Sequence, residues 1–403
     1  MTTRPKPKKM RVAILGGGVG AISAAFALTS PDNPAHQDHE VTIYQMGWRL
    51  GGKGASGRNA RFHQRIEEHG LHIWMGWYHN AFRLIRECYR ELGRDAGQPL
   101  ASWQEAFKPQ SLATLMDRHK TLWKRWDICF PRTPDVPGGR YASMYGQLRM
   151  LHGWTRAARA MLRADPERGR TFLATVFGVR SLPGVLRTGL PDVLLFLRAI
   201  SADQRQSAAR CRRVRRLADA LRGRVHAVMR AGEFDDHDTL RRLTAMLGML
   251  LTVTVGLIDE GVGTGERTFN ALDELELREF LRTHGCEPAT LDCAFLRAYY
   301  NLALAYRHGD WTDPANENAA AGVAINIMLR GCFQYRGAFM WEMQSGMGDT
   351  IFAPYYDVLV QRGVQFKFFH QVRELELSHR MRRASRPFIS SARRNRATDD
   401  TIR

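Results

Sequence analysis

The chain has 403 residues, of which 44% are hydrophobic and 25% charged, so it is too long for one ordinary domain and apolar enough to bury a sizeable core. This composition excludes a wholly disordered protein. Lys and Arg number 59 against 40 Asp and Glu, and the net charge of +19 favours acidic partners such as phosphates, nucleic acid or anionic lipid without choosing among them.

The beginning of the chain predicts a strand, a helix and a second strand. After a basic leader at residues 1–9, the aliphatic run 10–15 (MRVAIL) predicts a buried parallel strand. Glycines, a helix within AISAAFALTS and a second strand over 40–45 follow. We expect this unit to be right-handed with parallel strands. Residues 47–70 are rich in glycine and then in charge, which predicts a long ordered loop with one strand at most.

The rest of the chain is predicted to be mainly helical. An arginine-rich amphipathic stretch covers 204–230, and the uncharged run 243–258 predicts a buried helix because it is shorter than a bilayer span. Near the end, GMGDTIFAPYYDVLVQRG predicts a helix and the residues after it predict a strand. Residues 379–403 are arginine-rich without periodicity, which predicts a disordered basic tail.

The cysteines and the N-terminus bear on the cellular compartment. The six cysteines form no CxxC pair and indicate reduced, mostly buried thiols. The basic N-terminal segment is not followed by the long apolar stretch of a signal peptide. We therefore expect a cytoplasmic protein, with a peripheral membrane location as the open alternative.

The turn between the first strand and the helix has the composition of a phosphate-binding loop. Its G-x-G-x-x-G/A pattern falls on Gly16, Gly18 and Ala21. The first glycine permits a tight turn, the second lets the backbone approach a pyrophosphate, and the small third residue lets the helix pack on the strand. The helix N-terminus then offers free N–H groups to an anion. The candidate cofactor-binding residues here are Gly16, Gly17, Gly18, Val19, Gly20 and Ala21, and the alternative is a glycine turn without a ligand.

A second candidate loop follows the second strand. Gln45 stands at the position where an acidic residue usually binds a ribose 2′-OH. The neutral carbonyl of Gln45 can still accept a hydrogen bond from that hydroxyl, although a weaker one. Alternatively, the absence of an acid together with the nearby Arg49 would suit the 2′-phosphate of NADP. The next block, WRLGGK, is rich in glycine and positive charge. A flavin held along its whole length needs such a loop, and a simple nicotinamide dehydrogenase does not. The candidate residues here are Gln45, Arg49, Gly51, Gly52 and Lys53.

Together these residues resemble the flavin-dependent amine oxidase and phytoene desaturase superfamily, which pairs a GGG-x-x-[AG] turn with an R-x-G-G-[KR] loop. The resemblance extends into residues 65–82, similar to the segment of carotenoid-desaturase-like and hydroxysqualene-dehydroxylase-like proteins that runs under the flavin ring, and it returns at 346–372. It implies FAD as the cofactor. It also implies that His69 and Gly70 lie beside the flavin, with ordinary packing as the alternative, and that the Val372 backbone meets the adenine.

The sequence departs from that family in two ways. Gln45 replaces the usual Glu, and residues 379–403 resemble none of the further strands, substrate-domain segments and final glycine turn with which family members continue. We therefore expect a chain shortened by truncation or a frameshift, with the C-terminal part of the FAD domain missing.

Three other features of the sequence bear on function. A metal site is not expected from the histidines and acids between residues 67 and 79, because their spacing is not HExxH and the aromatic setting of Trp74, Trp77 and Tyr78 favours a cofactor wall. The arginine-rich stretch lacks interleaved aromatic residues, so we expect no nucleic acid partner but a solvated face or a contact with an anionic membrane. No nucleophile–base pair is evident, and the oligomeric state is not indicated. Flavin chemistry needs no such pair.

The sequence thus predicts an α/β fold with a Rossmann-like FAD-binding domain at 10–80 and 346–378, interrupted by a mainly helical substrate domain at 81–345. The expected function is an FAD-dependent oxidoreductase that removes hydride from a small hydrophobic substrate of isoprenoid type. The alternatives are an NAD(P)-binding dehydrogenase and a truncated, inactive nucleotide-binding fragment.

Overall fold

The computed structural model describes residues 9–130, 132–139, 208–232, 238–377, 387–389 and 393–394. The chain divides into two units. The first unit comprises Met1–Trp74, Tyr78–Pro109 and Met340–Arg403, and the second unit comprises Met75–Trp77 and Gln110–Phe339. The expected basic leader at 1–8 lies outside the described residues.

The strands of the described residues are short except in one hairpin of the second unit. In chain order they are β1 Met10–Leu15, β2 His39–Tyr44, β3 Ser56–Asn59, β4 Arg65–Glu68, β5 Trp74–Met75, β6 Phe107–Gln110, β7 Leu112–His119, β8 Leu122–Cys129, β9 Met340–Met343, β10 Gln365–Lys367, β11 His370–Gln371, β12 Leu375–Leu377, β13 Pro387–Ile389 and β14 Arg393–Arg394.

The longest described helices lie in the second unit. In chain order the helices of the described residues are α1 Val19–Leu28, α2 His79–Leu92, α3 Trp103–Ala106, α4 Ala208–Arg230, α5 Asp238–Asp259, α6 Leu277–Thr283, α7 Pro288–Leu291, α8 Ala294–Leu302, α9 Ala321–Phe333 and α10 Ala353–Gln361. A π-helical turn, Gly348–Phe352, leads directly into α10.

The strand–helix–strand prediction is confirmed. β1 pairs in parallel with β2, and β10 pairs in parallel with the other edge of β2, so the sheet order is β1–β2–β10. The expectation that residues 10–15 form a buried strand is wrong, because β1 is an edge strand among the described residues. Met10 is 60% exposed and Leu15 39% exposed as a result.

The core of the first unit is built by helices against this sheet. α1 buries Ile22 and Phe26, and the Phe26 ring meets Tyr355 of α10 edge-on at 5.1 Å. α2 ends at Gly93, which adopts a left-handed φ of 60°. The Tyr89 hydroxyl of α2 donates to the Thr350 carbonyl at 2.9 Å. Residues 81–109 lie in the first unit, whereas the sequence assigned them to the helical domain at 81–345.

Two hairpins replace elements that the sequence predicted otherwise. β7 and β8 pair antiparallel from Leu112–Cys129 to His119–Leu122, in a region expected to be helical. Exposed and less exposed residues alternate along both strands, as in a half-buried sheet. Lys120 has a left-handed φ of 55° in the turn. β3 and β4 also pair antiparallel, so residues 47–70 contain two strands instead of one.

The core of the second unit lies between its helices. The largest fully buried side chain there is Tyr300, which packs with Leu277 and Phe280. α5 contains the predicted buried helix. By length and composition its residues Arg241–Asp259 could cross a membrane, but 61% of this window is buried inside the protein, as in the core helix of a folded unit.

The described part of the predicted tail differs from the expectation of disorder. β13 pairs antiparallel with β12, and β14 pairs antiparallel with β11. The residues around these two short strands lie outside the described part of the chain, so the tail prediction is otherwise untested.

Candidate functional site

The first glycine turn joins β1 to α1 and leaves a helix N-terminus open. The Gly16 amide donates to the Tyr44 carbonyl at 2.7 Å, and Gly16 has a φ of +95°, which favours glycine. Gly18 is the N-cap of α1, and no side-chain hydrogen bond caps this helix. The amides of the first helical turn, from Val19 to Ala21, have no partner within the helix. The parallel bridge between Gly18 and Gly51 engages the start of this turn, so the amides of Gly20 and Ala21 are the ones available to an anion.

Open space lies next to two of these glycines. A Cβ added at Gly18 or at Gly20 would meet no heavy atom within 4 Å. A Cβ at Gly17, in contrast, would lie 2.6 Å from Cδ2 of Leu50 and 3.0 Å from Oε1 of Gln45. Contacts within the protein therefore explain the glycine at position 17. They do not explain the glycines at 18 and 20, whose open side is free for a ligand.

The second glycine loop lies directly against the first. The Gly51 amide donates to the Gly17 carbonyl at 2.8 Å, and Gly18 and Gly51 form a parallel β-bridge. A Cβ added at Gly52 would lie 3.4 Å from the Cα of Gly18. The structure thus brings together the two loops that the sequence singled out. One amide, that of Gly51, is used for the contact between them.

The polar side chains of this region hold the second loop. Nε2 of Gln45 donates to the Arg49 carbonyl at 3.1 Å. Nη1 of Arg49 donates to the Ser56 carbonyl at 3.0 Å, and its guanidinium lies 5.1 Å from the Trp48 ring. Lys53 is exposed in the turn Gly52–Gly54. Gln45 and Arg49 therefore have structural partners, which the sequence did not predict.

The return segment reaches the same end of β2. The Gln45 amide donates to the Lys367 carbonyl at 2.9 Å, and the His370 amide donates to the Gln45 carbonyl at 3.0 Å. Val372 follows two residues later and is half-buried between β11 and β12. The role expected for its backbone stays a prediction.

The structure places His69 and Gly70 in an exposed segment after β4. Ser56, at the end of the second glycine loop, pairs with Glu68 of β4, and His69 is the next residue after Glu68. The aromatic side chains assigned to a cofactor wall are placed differently. Trp74 packs in the core of the first unit, 5.0 Å from the Phe82 ring, and Trp77 of the second unit is also buried.

A cluster around Glu68 was missed by sequence reasoning. Its carboxylate accepts hydrogen bonds from Ser56 Oγ at 2.5 Å, His72 Nδ1 at 2.8 Å and the Met347 amide at 2.6 Å. Ser56 Oγ in turn accepts from the Gly348 amide at 2.8 Å. Burial raises the pKa of Glu68, but these hydrogen bonds outweigh it and lower the pKa below its usual value. The cluster joins the second glycine loop to the start of the π-helical turn, and only knowledge of the strand register could have revealed it.

The described residues contain no group of three or more His, Cys, Asp and Glu side chains that could hold a metal ion. The arrangement instead suits a diphosphate. Open space at Gly18 and Gly20, an uncapped helix N-terminus and a second glycine loop in contact with the first are the features that such a ligand requires. The residues present thus fit a dinucleotide cofactor.

Comparisons with known proteins agree with this geometry. Residues 14–88 match the model of the NAD(P)-binding Rossmann-like domain. The chain is 38% identical over 83 residues to zeta-carotene desaturase, chloroplastic/chromoplastic, of Solanum lycopersicum, a match that covers 21% of this chain and 13% of that protein. The protein of the same name in Arabidopsis thaliana is 38% identical over 86 residues, which cover 21% of this chain and 14% of the relative.

The chain therefore spans about one seventh of the length of the curated relatives it matches. Over that length the comparisons confirm the resemblance to the phytoene desaturase-like superfamily. They also confirm the α/β, Rossmann-like character of the N-terminal part of the first unit.

Proposed function

We propose that this protein is an FAD-dependent oxidoreductase that removes hydride from a small hydrophobic substrate of isoprenoid type. The observation that carries the proposal is the open space at Gly18 and Gly20 beside two glycine loops in direct contact. The similarity to zeta-carotene desaturases supports an oxidoreductase and, by the name of those relatives, a substrate of carotenoid class.

The chain's own residues have defined tasks in this proposal. The amides of Gly20 and Ala21 bind the diphosphate, and the contact between Gly17 and Gly51 fixes the two loops around it. A bound flavin would supply the hydride acceptor, while the protein supplies placement and electrostatics. Gln45 would offer its side-chain carbonyl to the ribose while its Nε2 holds the loop at Arg49.

The location of the protein belongs to the same proposal. We place it in the cytoplasm with a peripheral contact to an anionic membrane, where a hydrophobic substrate partitions. The exposed arginines of α4 support this contact, because Arg212, Arg213 and Arg216 all face away from the core of the second unit.

Purification of the full chain tests the cofactor. We expect a yellow protein that releases flavin on denaturation. A colourless protein that binds NADPH would support a nicotinamide dehydrogenase instead, and a colourless protein that aggregates would support an inactive fragment. Both results would overturn the proposal.

A substitution at Gly18 tests the site itself. We expect Gly18→Val to abolish flavin retention, because its branched side chain would fill the space in which no protein atom lies within 4 Å. Gly223→Val is the matched control, since a Cβ there also meets no atom within 4 Å but lies on α4 in the second unit. Flavin content is read from the visible absorbance per mole of protein. Equal flavin content in the wild type and Gly18→Val would contradict the assignment.

A further inference from the structure

A cavity of about 210 Å³ lies within the second unit. It is lined by residues of β7, β8, α4, α5, α7 and α8. Ligand pockets for drug-sized molecules usually measure about 300–1,000 Å³, so this cavity suits a smaller solute. Nothing in the proposed function makes use of it.

Positive charge dominates the lining of this cavity. The buried carboxylate at its wall is Asp117, which is 1% exposed. Its Oδ2 accepts hydrogen bonds from Arg241 Nη2 at 2.5 Å and from Arg242 Nε at 2.9 Å. Nη2 of Arg297 lies 3.9 Å from Oδ1 of the same carboxylate. Burial raises the pKa of Asp117, but the hydrogen bonds from Arg241 and Arg242 outweigh it and lower the pKa, so the group is charged.

One carboxylate does not satisfy these guanidinium groups. The Arg242 side chain is 8% exposed, and its buried Nη2 has no hydrogen-bond partner among the described residues. The buried Nε of Arg241 also has no such partner there. A buried donor without an acceptor is unfavourable, and a guanidinium carries donors in a fork that matches an oxyanion. Both arginines line the cavity, so an anion inside it would lie close to their positive charge.

The N-terminus of α8 adds to this positive charge. Cys293 is its N-cap without a side-chain hydrogen bond, and both Cys293 and Ala294 line the cavity. The helix has nine residues, and the N–H groups of its first turn favour negative charge. The remaining acid of the lining is Asp292, against the arginines Arg118, Arg241, Arg242 and Arg297.

We propose that this cavity binds a small oxyanion, a phosphate or carboxylate group of a solute, held by Arg241, Arg242 and Arg297. The inference concerns the second unit alone and does not depend on the cofactor proposed for the first. Asp117 holds the guanidinium groups of Arg241 and Arg242 in place, and the bound anion offsets the positive charge that this one carboxylate leaves.

Calorimetric titration of the full chain tests this site. We expect saturable binding of inorganic phosphate or of acetate at constant ionic strength set with sodium chloride, and the one that binds more tightly identifies the class of anion. Arg297 is suited to substitution because its side chain is 37% exposed. Arg297→Gln should weaken binding about tenfold, which corresponds to about 1.4 kcal/mol. Arg307→Gln, which removes the same charge from an exposed position of the second unit outside the cavity lining, should leave binding unchanged.

The difference between these two variants is the decisive readout, because phosphate could also bind the open helix N-terminus near Gly18. Equal affinity in the wild type and Arg297→Gln would overturn the proposal, as would an equal loss in Arg307→Gln. Absence of saturable binding for both anions in the folded wild-type chain would overturn it as well.

Discussion

At the scale of single residues, Glu68 explains how the glycine loops are held. Its carboxylate accepts from Ser56 of β3, from His72 and from the Met347 amide, so one side chain connects a hairpin, the loop after it and the return segment. A Cβ at Gly346 would lie 2.6 Å from Ser56 Oγ and 2.9 Å from Oε1 of Glu68. The close approach of the return segment therefore depends on glycine there.

The lowered pKa of Glu68 makes this connection sensitive to acid. The charged form is favoured in the folded protein, so its contribution to the free energy of unfolding is complete above about pH 4.3, the usual value of a Glu side chain, and is lost as pH falls below it. We expect Glu68→Gln to be less stable than the wild type by about 1.5 kcal/mol at neutral pH. The difference should narrow as the wild-type carboxylate is protonated. Urea unfolding at several pH values measures this.

Glu67→Gln is the control for that experiment. Glu67 is an exposed neighbour on β4 that accepts from Asn59 at 2.7 Å and makes no contact with the return segment in the described hydrogen bonds. The substitution Glu67→Gln removes the same charge but should lower the free energy of unfolding much less. A difference between wild type and Glu68→Gln that stays constant from neutral to acid pH would contradict the role given to the carboxylate.

Gly16 and Gly18 could be recognised from sequence because a turn before a helix requires them in a fixed spacing, and Gly51 because it lies in the glycine-rich block WRLGGK. The partners of Gln45 and Arg49 could not. Their side chains bind the carbonyls of Arg49 and Ser56, and both contacts depend on the path of the second loop. No spacing of residues in the sequence predicts the path of that loop.

At the scale of elements, one arginine joins three helices of the first unit. Nε and Nη2 of Arg362, at the end of α10, donate to the two carboxylate oxygens of Glu91 in α2. Nη1 donates to the Phe26 carbonyl of α1 at 2.8 Å, and the guanidinium lies 4.1 Å from the Phe26 ring. The Arg362 side chain is 7% exposed and that of Glu91 is 29% exposed, so water reaches this pair only from the side of the carboxylate.

Replacing Arg362 by lysine should therefore be costly. An ammonium group cannot donate to both oxygens of Glu91 in a fork or stack on Phe26. We expect Arg362→Lys to lower the free energy of unfolding of the first unit by about 2–3 kcal/mol. The control is Arg83→Lys, because Arg83 is 57% exposed and lies 3.7 Å from Glu87. Surface pairs of this kind contribute about 0–1 kcal/mol, so equal losses in the two variants would contradict the prediction.

The elements that sequence reasoning found are those with a strong local signal. The run MRVAIL and the small residues of α1 identify their elements directly. The β7–β8 hairpin was missed because its strands carry charged residues such as Lys124 and Arg125 beside aromatic ones, a composition that also occurs in helices. The spacing of Asp273 and Glu276 in the sequence resembles a capping box before α6. In the structure Glu276 itself caps α6, and Asp273 accepts from the Val323 amide of α9.

At the scale of the whole molecule, the two units have separate sources of stability. The first unit has a core around Phe26 and Ile43 and contains the candidate cofactor site, while the second has its own helical core around Tyr300. In the second unit, Arg278 pairs with Glu317, and their side chains are 8% and 7% exposed. Such a buried pair is costly to break, because removal of one partner leaves a buried charge.

We therefore expect calorimetry of the full chain to resolve two unfolding transitions. Arg362→Lys should lower the melting temperature of one transition, and Glu317→Gln should lower that of the other, because the substituted residues belong to different units. The double variant should show both shifts without an additional one, since distant substitutions are usually additive. Saturating FAD should raise the transition that Arg362→Lys lowers, because a ligand stabilises the unit that binds it. A single transition that both variants lower would show that the units unfold together, and an FAD effect on the transition lowered by Glu317→Gln would place the cofactor in the other unit.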